Sequence, residues 1–83
     1  MPNEKPRSPD DLDRLIAKRL RHQRVISGLS QTALATALGI TFQQVQKYES
    51  GKNRISAGRL WQIANVMEVE IASFFISQDR EKV

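Results

Sequence analysis

The stretch 29–51, LSQTALATALGITFQQVQKYESG, constrains the fold more than any other part of the chain. Ser30 opens a short helical pattern whose inner stripe is Leu34, Ala35 and Leu38. Gly39 closes it, because glycine enters the left-handed conformation at a helix end without steric cost. Ile40 sits in the turn, placed to plug a core. Thr41 caps a second pattern, in which Val45 and Tyr48 are apolar and Gly51 is the stop. Thr41-x-x-Gln44 also has the spacing of a capping box, with Gln44 reaching back to the Thr41 amide.

The flanks supply three more helices. Ser8, Pro9, Asp10 and Asp11 form a helix start, with Ser8 as N-cap, Pro9 at the first helical position and two acids at the positive end of the dipole. Leu12, Leu15, Ile16 and Leu20 recur at helical spacing, and Ser27-Gly28 ends the run. After the loop Lys52-Asn53-Arg54, Ser56 caps a helix carrying Leu60, Ile63, Ala64 and Met67. A last short segment, about 70–76, offers Ile71, Phe74 and Phe75. The expectation is an all-α domain of five helices over residues 8–76. Residues 1–7 read as a disordered tail in which Lys5 and Arg7 are the basic groups, and residues 77–83 as a frayed end.

Composition narrows the function. A chain of 83 residues is expected to make one small domain of marginal stability, with neither a large catalytic cleft nor a second domain. There is no cysteine and a single histidine, His22, so neither disulfides nor a zinc site is expected. No Ser-His-Asp set and no phosphate-cradling glycine loop is visible, so the chain is expected to be no enzyme and to need no cofactor. No apolar run reaches the length of a membrane span, and the start has no secretory signal. A cytoplasmic protein of bacterial or phage type is the expectation. The net charge is +4. Residues 29–59 hold Lys47, Lys52, Arg54 and Arg59 against Glu49, a net of +3, whereas residues 60–83 hold two cations against four acids, a net of −2. The segment that carries the two short helices is therefore net positive.

The chemistry of that segment points to DNA. At 100° per residue, Phe42, Gln43, Gln46, Lys47 and Ser50 share one arc of roughly 140°, opposite Val45 and Tyr48. Nine residues make a rod of about 13 Å, suited to a major groove about 12 Å wide. Glutamine pairs with adenine N6 and N7, lysine with guanine O6 or N7. Gln43 and Lys47 have no evident structural task. Gln46 is open between base reading and a solvated face, and Phe42 between packing on the core and pressing on a thymine methyl. Gln44 is either a cap or a backbone contact. Gln31, at the start of the preceding helix, can donate its side-chain amide to a phosphate, and Lys52, Asn53 and Arg54 can clamp the next one.

Several runs of residues resemble the phage lambda repressor and Cro class of helix-turn-helix proteins, the XRE family. They are Ile16-x-x-x-Leu20-x-x-x-Arg24, Gly28-Leu29-Ser30-Gln31, Leu34-Ala35, Leu38-Gly39-Ile40-Thr41, Val45-x-x-Tyr48-Glu49-x-Gly51 and Leu60-x-x-Ile63-Ala64. The resemblance spans residues 16–75. It implies a five-helix domain that binds double-stranded operator DNA as a two-fold dimer. By position it implies that Gln31 touches phosphate, that Gln43 and Lys47 read bases, and that Thr41, Gln44 and Asn53 lie near the backbone; Ser50, on the polar arc, is a candidate phosphate contact. Arg24 and Glu49 match a partly buried ion pair of the family. Two residues depart from its pattern: Phe42 stands where polar residues are common, and Glu68 replaces a frequent glycine.

The leading reading is a sequence-specific transcriptional regulator acting as a repressor. A DNA-binding antitoxin and a helical protein–protein adaptor are the alternatives; an adaptor has no need of the polar arc on residues 42–50. Trp61, Phe74 and Phe75 are large for so small a core. Phe74 is read as core, and Trp61 and Phe75 are open between core and dimer contact. No small-molecule ligand is evident.

Overall fold

Four residues in the left-handed conformation stop four helices: Gly28, Gly39, Gly51 and Glu68, at φ 75°, 72°, 81° and 58°. They divide the computed structural model, which describes residues 9–76, into α1 (Pro9–Ile26), α2 (Gln31–Leu38), α3 (Phe42–Ser50) and α4 (Ala57–Met67). At each stop the left-handed residue donates its amide to the carbonyl three residues back. The next amide reaches five back: Leu29 to Arg24 at 3.2 Å, Ile40 to Ala35 at 3.0 Å, Lys52 to Lys47 at 3.0 Å and Val69 to Ala64 at 3.0 Å. This is the Schellman closure, which satisfies carbonyls that the helix itself leaves open. Leu29, Ile40 and Val69 use the position to lay a side chain on the core. Lys52 is the exception and stays exposed.

The starts are equally regular. The Ser30, Thr41 and Ser56 hydroxyl oxygens accept from the amides of Ala33, Gln44 and Arg59 at 2.9, 3.1 and 3.1 Å. Each such cap contributes about 1 kcal/mol. The reciprocal half of the capping box, from the Thr41 amide to the Gln44 side chain, is not made among the described residues. The expected cap at Ser8 and both tails lie outside the described residues.

The fifth element is shorter than expected. Ile71–Phe75 forms a 3-10 helix of five residues in place of an α-helix. The Ser73 amide and hydroxyl both donate to the Glu70 carbonyl, at 2.9 and 2.7 Å, which tightens the chain to an i to i+3 turn. The described residues therefore hold four α-helices and one 3-10 turn, and no strand.

Burial follows the apolar stripes. Leu20, Leu34, Val45, Ile63 and Phe74 are fully enclosed, with Ala35, Tyr48, Leu60, Ala64 and Met67 around them. Helix α3 packs on α2 and α1, α4 on α2, and the 3-10 turn on α1 and α4. Two arginines, Arg19 buried and Arg24 partly buried, tie this arrangement together. Arg19 donates from Nε to the Ser73 carbonyl at 3.2 Å and so holds the 3-10 turn on α1. Arg24 holds the front of the domain.

Candidate nucleic-acid interface

Helix α3 is presented by its buried side. Val45 and Tyr48 lock into the core, while Phe42, Gln43, Gln46, Lys47 and Ser50 are exposed. These five are the residues that share one arc at 100° per residue. Among the described residues the side chains of Gln43, Gln46, Lys47 and Lys52 make no hydrogen bond or ion pair. Their donors and acceptors are therefore available to an external surface.

The angle between α2 and α3 is braced by one carboxylate. Glu49 accepts from Arg24 Nε at 2.5 Å, from the Arg24 terminal nitrogen at 3.1 Å and from Gln31 Nε2 at 3.0 Å. Arg24 also donates to the Leu29 carbonyl at 2.9 Å. One cluster thus joins α1, the turn before α2, the first residue of α2 and the end of α3. The side chains of Arg24 and Glu49 are only 11% and 4% exposed. Gln31 is therefore not a free donor; Glu49 holds one of its amide hydrogens and leaves the second.

The loop after α3 is divided. The amides of Lys52 and Asn53 both close on the Lys47 carbonyl, at 3.0 and 3.3 Å, leaving both side chains exposed. Arg54 turns back to α1, pairing with Asp13 at 2.7 Å and Asp10 at 3.3 Å. The Ser50 hydroxyl donates to the Lys47 carbonyl at 3.2 Å. Thr41 spends its hydroxyl oxygen on the Gln44 amide, and Gln44 is half-buried. A groove between α1 and the end of α3 is lined by Asp11, Arg14, Lys18, Glu49, Ser50 and Gly51 among others, so its two cations are matched by two carboxylates.

A family model described as helix-turn-helix matches residues 20–74. The chain belongs to the helix-turn-helix family. The HTH-type transcriptional regulator y4wC of Sinorhizobium fredii is 49% identical to it over 69 residues, which are 83% of this chain and 48% of that protein. The chain spans about half the length of the first curated relatives it matches. Among solved structures it is similar to the restriction-modification controller protein C.AhdI from Aeromonas hydrophila, with 31% identity and a TM-score of 0.71, over 78% of this chain and 97% of that one. The hypothetical transcription factor NHTF from Neisseria gives 28% identity and a TM-score of 0.78, over 99% and 94% of the two chains.

In this helix-turn-helix domain Phe74 is fully buried while Trp61 and Phe75 are 60% and 43% exposed. The two residues left open between core and partner surface therefore lie outside the core. No described helix is long and apolar enough to cross a membrane.

Proposed function

We propose that this domain is a sequence-specific DNA-binding transcriptional regulator that acts as a repressor by laying α3 in the major groove. The observation that carries the reading is the coincidence of the exposed arc of α3 with its unpaired polar side chains, Gln43, Gln46 and Lys47. A solvated helix face needs no brace as deep as the Arg24–Glu49 pair behind it, whereas groove readout needs the helix held at a fixed angle. The names of the family relatives, which are transcriptional regulators, support the same reading.

Base contacts are assigned to Gln43, Gln46 and Lys47. Phosphate contacts are assigned to the second amide hydrogen of Gln31, to Lys52 and Asn53, and to Thr41 and Gln44 at the start of α3. Ser50 and Arg54 join them by exchanging an internal partner for a phosphate. For Arg54 that exchange costs little, because its own side chain is 70% exposed and such solvent-exposed pairs are worth at most about 1 kcal/mol. A homodimer through Trp61 and Phe75 sets two α3 helices about 34 Å apart, one turn of DNA. The place of action is the cytoplasm, where such an operator lies.

Selection of bound fragments from random double-stranded DNA tests the proposal. The expected result is an enriched, two-fold symmetric site whose affinity falls steeply with salt, with a log–log slope near −0.9 per phosphate contacted. Binding with no sequence enrichment, or no binding at low salt, overturns it and leaves the adaptor reading. Recurrence of the selected site in the promoter of an adjacent toxin gene would assign the regulator to the antitoxin class.

A further inference from the structure

Phe42 is the one apolar residue on the exposed arc of α3, and it is 40% exposed at the first position of the helix. It is absent from the core cluster and from the half-buried apolar groups packed against it. Phenylalanine is a poor helix former, and the first turn of a helix favours proline and acids. Neither core packing nor local propensity accounts for a phenyl ring at this place.

We propose that Phe42 makes α3 a reader of the pyrimidine C5-methyl group, so that DNA affinity depends on the C5-methylation of one base, thymine and 5-methylcytosine alike. The inference rests on the reading of α3 as the groove helix. A phenyl ring has no donor or acceptor and cannot tell thymine O4 from the cytosine amino group. The methyl group is the apolar feature a pyrimidine shows in the major groove. Phe42 and Gln46 are one helical turn apart, with Cβ atoms about 5–6 Å from each other. Base pairs stack about 3.4 Å apart. The ring therefore serves the base pair that Gln46 reads or one within two steps of it. Burying one methyl group corresponds to an about fourfold change in affinity.

The test uses the full chain and the site selected from random DNA. Each thymine of the half-site is replaced in turn by deoxyuridine, then by cytosine and by 5-methylcytosine. Binding is titrated with the wild-type protein, with Phe42→Ser and with Phe42→Leu, and circular dichroism checks that both variants stay folded. Wild-type affinity should drop about fourfold on deoxyuridine at one position, and 5-methylcytosine should regain the same factor over cytosine there. Phe42→Ser should lose both responses and Phe42→Leu should keep them. The inference is overturned if no thymine responds, if Phe42→Ser responds like the wild type, or if methylation of cytosine restores nothing. Selection that enriches no site at all sinks the groove reading itself, whereas an enriched site with no methyl response sinks only the role of Phe42.

Discussion

Arg24 grips Glu49 through two nitrogens at 2.5 and 3.1 Å, across 25 residues of chain, with both side chains almost fully buried. The desolvation cost of such a pair offsets much of its attraction, so its value lies in geometry more than in net stability. Removing one partner is a different matter, because the other charge stays buried. Arg24→Ala should destabilise the domain by about 3–5 kcal/mol, a large share of the total for a chain this size. Arg24→Met combined with Glu49→Leu should recover most of that loss. Equilibrium urea unfolding of the three proteins checks this, and a loss near zero for Arg24→Ala would show that solvent reaches the pair.

Glu68 holds φ at 58°, the only non-glycine at positive φ among the described residues. A side chain in that conformation costs about 1–2 kcal/mol, part of which glycine returns through its extra freedom in the unfolded chain. Glu68→Gly should therefore stabilise the domain by about 1 kcal/mol and raise Tm by about 4–8 °C. Thermal unfolding measures it; an unchanged or lower Tm would mean that Glu68 gains as much from its surroundings as its backbone loses.

Gln43 and Lys47 differ from Lys52 in what they are expected to touch. Gln43→Ala and Lys47→Ala should each cost about 1–3 kcal/mol against the selected site and relax specificity at one base. Lys52→Ala should weaken binding to all sequences alike and reduce the salt slope by about one. Titrations on the selected site and on a scrambled one separate the two behaviours, and the reverse pattern refutes the assignment.

Trp61 is large and exposed on α4. Trp61→Ser should leave the unfolding free energy within about 0.5 kcal/mol of wild type, as surface changes do. It should also raise the concentration at which dimers form. Sedimentation equilibrium reads this directly. A wild-type protein that stays monomeric at high concentration would remove the dimer from the proposal.

The arc on α3 was legible because helix periodicity is a local property: Phe42, Gln43, Gln46, Lys47 and Ser50 are the exposed residues of that helix, as 100° per residue requires. The stops at Gly28, Gly39 and Gly51 were legible for the same reason. Gln44 was not. Thr41 makes its half of the capping box, and the Gln44 side chain does not return it. The α-helical expectation for the segment around residue 71 also failed. Five residues are too few for an α-helix to hold against its nucleation cost, and a 3-10 turn resulted.

The amino-acid sequence alone determined where helices begin and end, which face of each is apolar, and that the face of α3 opposite the core is polar and basic. Those properties depend on neighbours within a few residues. Tertiary structure decided which polar groups remain available. Gln31 is partly held by Glu49, 18 residues away. Arg54 is drawn to Asp10, 44 residues away. Arg19 is buried and donates to the Ser73 carbonyl, 54 residues away. Such bonds form only once packing of the apolar stripes has set the helices in place, because a hydrogen bond needs its donor and acceptor about 3 Å apart and no sequence spacing encodes that distance.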